Sequence, residues 1–266
     1  AFTLRMAGGM EAAIISVVAF LTSILTFFSG FGLGTILMPV FAIFFPLEIA
    51  IALTGVVHFA NSLFKMSLVG KNADREVLLK FGIPAVLASF AGAWLLLGIT
   101  GIPALFEYSI GARHFEITPV KLIIALLLIV FSLAELLPRI QKIQFSRNKL
   151  PLGGVLSGFF GGLTGMQGAL RSAFLIKSGL SKEGYIATGV VIAALVDVTR
   201  LSVYASRFRE ANLQDHLTII IPAVLAAMTG AILGNRLLKK ITFRFVKVLV
   251  AVMLFLIAAA LGAGII

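Results

Sequence analysis

The chain has 266 residues, of which 60% are apolar and only 12% charged, with a mean hydropathy of +1.10. A soluble domain carries about a quarter charged residues, so the composition excludes one and points to a bilayer. Twenty-two Lys and Arg against 11 Asp and Glu give a net charge of +11, a balance that marks nucleic-acid binding in a soluble chain. The placement of the cations excludes that partner: Arg139, Lys142, Arg147 and Lys149, and then Arg236, Lys239, Lys240, Arg244 and Lys247, form two acid-free clusters between long apolar runs, as in cytoplasmic loops. Without cysteine, disulfides, thiolate metal sites and Cys nucleophiles are excluded.

Breaking the apolar stretches at Gly, Pro and charge clusters gives about ten helical segments, at 11–28, 33–45, 47–69, 76–99, 118–138, 151–162, 167–179, 183–205, 215–236 and 242–264. The first lacks a small-residue cleavage site and is expected to be retained rather than removed as a signal peptide. Segments 33–45, 151–162 and 167–179 are too short to cross hydrocarbon, which takes about 20 residues, and are expected to dive in and turn back. Pro84 and Pro222 should kink or locally unwind their helices, most simply for packing.

The halves repeat. Thr54-Gly55-Val56-Val57 recurs as Thr188-Gly189-Val190-Val191, and Ile83-Pro84-Ala85-Val86-Leu87-Ala88 as Ile221-Pro222-Ala223-Val224-Leu225-Ala226, at offsets of 134 and 138. A Gly-rich break precedes each match, at Ser29 to Gly34 and at Gly161 to Gly168. The division is a first repeat over 1–138, a basic cytoplasmic linker over 139–150 and a second repeat over 151–266. Counting crossings from the basic loops puts 100–117 outside, the Lys71, Arg75, Lys80 loop inside and its counterpart, with Arg207, Arg209, Glu210 and Asp215, outside. Equivalent loops on opposite faces mean inverted repeats, the plan of many secondary transporters.

Inversion brings the breaks toward each other from opposite faces. Short helices starting near Gly34 and Gly168 then aim free N–H groups and positive dipole ends into the middle of the protein, an arrangement that binds anions. Ser29, Gly30, Gly32, Gly34 and Thr35 in the first break and Thr164, Gly165, Gln167 and Gly168 in the second are the candidate lining. The competing reading gives these glycines only tight turns and close helix packing. On 47–69, Thr54, His58, Asn61, Ser62 and Lys65 share one face; Lys65 either faces the substrate or snorkels to the cytoplasmic surface. On 183–205, Asp197 and Arg200 sit one turn apart at mid-depth, where ionisable groups mark function by default; a purely structural ion pair is the alternative.

Arg171 follows Gln167 by one turn, and its planar fork beside a helix start suits a trigonal or tetrahedral oxyanion. Lys177 fits the membrane interface. Lys65, Arg171 and Arg200 against Asp197 leave the interior net positive, which fits an anion; a metal is not expected, because clustered carboxylates are missing, and no cofactor is implied. Asp197, the only acid expected deep in the membrane, and His58 are the candidates for a coupled proton.

A Gly-rich break followed by a short Pro-containing helix (Gly30 to Pro39), the linker Phe45-Pro46-Leu47-Glu48, a polar loop with Asp74-Arg75, and the same order again from Gly153 to Lys240 resemble the TauE/SafE family of sulfite and organosulfonate exporters. The resemblance implies a multi-pass inner-membrane permease for a small sulfur oxyanion, with a small anionic substrate as its partner. The second break departs from the family's glycine-rich form at Met166-Gln167 and Arg171. Gly168-Ala169-Leu170-Arg171-Ser172 is similar to a stretch of undecaprenyl pyrophosphate phosphatase, but the paired carboxylates such an enzyme needs for acid–base chemistry are missing, with only Glu48 at a helix boundary. No Gly-x-Ser-x-Gly elbow accompanies His58. The expectation is therefore an all-α integral membrane transporter rather than an enzyme: two inverted repeats, two re-entrant hairpins, and an anion held between them during alternating access.

Overall fold

The computed structural model describes residues 2–29, 33–141, 143–210, 216–237 and 243–265. Gly30, Gly32, Lys142, the loop from 211 to 215 and Lys239 and Lys240 lie outside the described residues, as do the side chains of Ser29, Arg207, Arg209, Glu210, Arg244 and Lys247. The helices are α1 (Phe2–Ser29), α2 (Leu33–Phe44), α3 (Leu47–Val69), α4 (Arg75–Val77), α5 (Ile83–Thr100), α6 (Pro119–Leu136), α7 (Pro138–Gln141), α8 (Leu150–Thr164), α9 (Gly168–Leu175), α10 (Lys182–Glu210), α11 (Leu217–Leu237) and α12 (Phe243–Gly262). Among the described residues, Leu47–Asn72, Arg75–Thr100, Lys182–Ala205 and Leu217–Gly234 are long and apolar enough to cross a membrane. The protein is an all-α membrane protein. The 12 residues of α2 and the eight of α9 fall well short of a crossing.

Sequence chemistry sets the element boundaries. The Asp74 carboxylate accepts from the Val77 amide at 2.8 Å and starts the Arg75–Thr100 rod. That rod widens into a π turn over Leu78–Gly82, closed by Ile83 N–H donating to the Leu78 carbonyl, just before Pro84, which has no amide to give. The expected unwinding at Pro84 is thus a π turn. Pro222 lies inside α11. Thr118 caps α6, with Pro119 in its first turn.

The stretch 100–117, expected as a loop, instead forms an antiparallel hairpin of β1 (Phe106–Ile110) and β2 (Arg113–Ile117), turning at Gly111 with φ +62°. Tyr108 and Phe115, paired across it, stack with centroids 5.1 Å apart, and the Tyr108 hydroxyl donates to the Ala263 carbonyl at 2.5 Å. The hairpin therefore covers the C-terminal end of α12. At the other end of the molecule Arg147 in the basic linker pairs with Glu76 at 2.5 Å, Phe145 N–H donates to the Ala173 carbonyl at 3.1 Å, and Asp74 N–H donates to Thr188 Oγ1 at 2.9 Å. The linker, the loop after α3 and the start of α10 share that end, and α3 and α10 run antiparallel.

Several helix pairings recur when the halves are exchanged. Helix α1 lies on α11 as α8 lies on α5; α3 lies on α11 as α10 lies on α5; α3 and α10, and α6 and α12, pair with each other. Small residues make the closest contacts. A Cβ on Gly154, Gly158 or Gly162 would stand 2.2, 2.1 or 2.1 Å from the carbonyl oxygens of Phe81, Ala85 and Ser89, so α8 presses its glycine ridge onto the backbone of α5. A Cβ on Gly92 would meet the Phe159 carbonyl at 2.0 Å, and one on Gly230, 138 residues later, the Phe20 carbonyl at 2.4 Å. The main core fills the space between α1, α2, α3, α6, α11 and α12, and a smaller cluster around Phe81, Phe174 and Leu175 sits under the linker.

Candidate functional site

Helix α8 ends at Gly165 in the left-handed conformation, φ +82°, with its N–H on the Gly161 carbonyl at 2.9 Å. Met166 and Gln167 bridge to the start of α9, held by Thr164 Oγ1 accepting from Met166 N–H at 3.2 Å and by Ser157 Oγ donating to the Gln167 carbonyl at 3.1 Å. This break meets the start of α2: a Cβ on Gly34 would lie 3.4 Å from the Gly165 carbonyl oxygen and 3.7 Å from both Thr54 Cγ2 and His58 Cδ2. Gly34, Thr35, Thr164, Gly165, Gln167 and Gly168 are all buried there.

Beneath this junction α3 and α10 contribute a charged cluster. His58 Nδ1 is 2.5 Å from Asp197 Oδ2, and Arg200 Nε donates to Asp197 Oδ1 at 2.9 Å, with Nη2 equally close to that oxygen. Both Asp197 and Arg200 are wholly buried, so the ion pair considered from sequence forms, and His58 joins it from the facing helix. The guanidinium lies between two glycines: a Cβ on Gly165 would stand 2.5 Å from Nη1, and one on Gly55 would stand 3.4 Å from Cζ. Tyr204, one turn further along α10, donates to the Gly162 carbonyl at 2.5 Å.

Arg171 is partly buried on α9, its Nη1 donating to Gln167 Oε1 at 3.2 Å, its Nε against Gly189 of α10. Lys65 is buried rather than snorkelled to the surface, and its charge and that of Arg171 repel each other. Lys177 is exposed, two residues beyond the end of α9. Asn61 is buried, its Oδ1 accepting from Ser23 Oγ of α1 at 3.4 Å. Sequence reading missed α1's share: Thr22, Ser23 and Thr26 are buried in an otherwise apolar helix, and their helical spacing was the available signal.

The cluster thus sets Lys65, Arg171 and Arg200 against the single carboxylate of Asp197. Four buried polar atoms of the neighbourhood, Gln167 Nε2, Arg200 Nη1 and Nη2 and Thr54 Oγ1, have no hydrogen-bond partner. Buried donors rarely stay unpaired; this surplus of donors and positive charge suits an anion and not a metal. The family model for the sulfite exporter TauE/SafE matches residues 15–261. The chain belongs to this family. It is a membrane transporter of the sulfite-exporter type. No individually curated protein and no solved structure is significantly similar to it. The phosphatase alternative finds no support: the Ser172 hydroxyl donates to the Gly168 carbonyl at 2.8 Å, and the one acid in the buried cluster, Asp197, is held by Arg200 and His58.

Proposed function

We propose that this TauE/SafE transporter moves a small sulfur oxyanion, sulfite or an organosulfonate, across the cytoplasmic membrane by alternating access. In this reading the halves are inverted repeats, and α1–α2 and α8–α9 are re-entrant hairpins whose tips enclose the anion. The basic linker faces the cytoplasm, and the membrane is the inner one. The observation that carries the proposal is the meeting of the two breaks at Gly34 and Gly165, beside the unpaired donors of Gln167 and Arg200 and the charge of Arg171.

Each feature has a role in that mechanism. The starts of α2 and α9 supply backbone N–H groups and dipole ends, Arg171 supplies the paired donors that fit an oxyanion, and Gln167 both orients Arg171 through Oε1 and offers Nε2 to the anion. His58 and Asn61 line the path, Thr35 and Thr164 border it, and Arg200 adds Nη1. The α3–α10 contact is the seam across which the halves rock. The glycine ridges of α5 and α8, and of α11 against α1, join each half tightly to the other's outer helix.

Flux of sulfite, thiosulfate, sulfoacetate, taurine and sulfate into proteoliposomes tests the reading, with undecaprenyl pyrophosphate hydrolysis measured in parallel. Uptake of one or more of the sulfur anions is expected. Hydrolysis without uptake of any of them would overturn the proposal.

A further inference from the structure

We infer that His58 is a proton-binding site coupled to the anion: it takes up one proton at Nε2 when the anion binds. The inference rests on the transport reading above. It follows from which nitrogen of the ring is occupied. Asp197 is a carboxylate held by Arg200 Nε, so it acts as acceptor and His58 Nδ1 must donate to it. The neutral ring then carries its lone pair on Nε2, and among the described residues no hydrogen-bond partner meets that atom. The ring edge bearing Nε2 faces the anion site, since Cδ2, the carbon bonded to it, lies 3.7 Å from where a Cβ on Gly34 would sit.

Proton uptake at Nε2 breaks no existing bond. Water supplies the proton, the imidazole becomes an imidazolium still donating from Nδ1 to Asp197, and one positive charge appears beside the junction of the breaks. The same proton on Asp197 would remove the charge that pairs with Arg200 and compete with Arg200 Nε at Oδ1 or with His58 at Oδ2, leaving the buried Arg200 cation without its partner. The structure therefore assigns the proton to His58 rather than to Asp197. Charged and titratable groups facing this ring are Lys65 on its own helix, Asp197, Arg200 and Tyr204 on α10, and Arg171 on α9; α2 and the middle of α11 bring none. A proton on His58 and an anion at the neighbouring junction attract each other, so each ligand favours the other. His58 also bonds across the seam between the halves, which places the proton where rocking is sensed.

Isothermal titration of the purified full-length chain with sulfate, thiosulfate, 2-hydroxyethanesulfonate and sulfite, each in two buffers of different ionisation enthalpy, counts the protons taken up. The first three anions do not themselves titrate near neutral pH, and sulfite's own protonation is subtracted. About one proton per anion is expected, with affinity falling about tenfold per pH unit once the free ring is neutral. His58→Gln, which keeps a donor for Asp197, should take up none at whatever affinity it binds. Should that variant not fold, a His114→Gln/His216→Gln variant leaves His58 as the only imidazole. Its ¹⁵N spectrum should then change from one protonated nitrogen to two as anion is added. Binding with buffer-independent heat in the wild type, proton uptake persisting in His58→Gln, or a ring unchanged by anion overturns this inference and leaves the transport reading standing. Binding of no anion at any pH overturns both.

Discussion

Gly165→Ala tests whether the break in α8–α9 and the position of Arg200 are one structure. The φ of +82° at Gly165 costs a residue with a Cβ about 1–2 kcal/mol. The new methyl would stand 2.5 Å from Arg200 Nη1, far inside contact distance. The tip of an arginine usually yields to such a contact. This one is wholly buried, holds Asp197 through a hydrogen bond from Nε and an ion pair, and is backed by Gly55. Moving it strands a buried ion pair, which costs about 3–5 kcal/mol more. A total of about 4–7 kcal/mol is most of the stability of an ordinary domain, so the variant should unfold at a much lower temperature in detergent, with a matching loss of folded yield. Gly34→Ala is the control, because its Cβ would meet nothing nearer than 3.4 Å; its unfolding temperature should equal wild type while anion affinity drops as the methyl enters the gap between the breaks. Arg200→Gln removes the group that the Gly165 methyl strikes, so the two substitutions should together cost less than their sum. A wild-type unfolding temperature for Gly165→Ala, or strictly additive costs, would refute the argument.

Arg171→Lys keeps the charge but loses the fork and should weaken anion binding; Arg171→Ala should cost about 1.5–3 kcal/mol, roughly 10- to 150-fold in Kd, and an unchanged Kd in the folded Ala variant removes Arg171 from the site. Gln167→Leu deletes both the Arg171 acceptor and the unpaired Nε2, so equilibrium titration should show affinity falling at least tenfold, by about 1.4 kcal/mol or more. The chain has no cysteine, so single cysteines at Asn148 and Arg113 can be labelled with an impermeant maleimide in intact cells. They should react from opposite sides of the membrane, and same-side labelling is incompatible with the orientation proposed. Gly158→Leu forces a side chain into the space where a Cβ already meets the Ala85 carbonyl at 2.1 Å and should abolish folded yield, whereas Gly98→Ala, with nothing within 4 Å of its Cβ, should not change it.

Much of this architecture was legible because membrane chains write it in hydropathy and punctuation. The expected segments 33–45 and 47–69 match α2 and α3 closely, since Pro46 and the charged loop after Val69 bound them. Pro84 signalled a local departure from the α-helix through its missing amide, though not that the departure is a π turn. The stretch at 100–117 was passed over for the opposite reason: counting apolar runs hides an alternation of period two, Phe106, Tyr108 and Ile110 against Glu107 and Ser109, that only a strand produces. For the site, the spacing of His58 and Asn61 on α3 and of Asp197 and Arg200 on α10 was visible in the sequence, but no sequence rule says that helices 139 residues apart place Nδ1 on a carboxylate. Ser23 of α1 went unread because a hydroxyl in an apolar helix has no fixed meaning until its partner, Asn61, is known.

The repeat explains the scaffold, and its violations explain the chemistry. At an offset of 134, Gly34 answers Gly168 and Thr54-Gly55 answers Thr188-Gly189, so the positions that turn the chain or make room are shared between halves. Both Thr-Gly pairs make room for an arginine, Gly55 for Arg200 and Gly189 for Arg171. The charges themselves are not shared: His58 corresponds to Ile192, Arg171 to Leu37, Asp197 to Leu63 and Arg200 to Met66. In the transport reading proposed above, a symmetric shell admits the two equivalent end states that rocking between faces requires. In that same reading, the asymmetric set of charges leaves one anion position within that shell, nearer the second break. Had the charges followed the symmetry of the shell, each would have been doubled, and two equivalent anion positions would have faced each other across the seam.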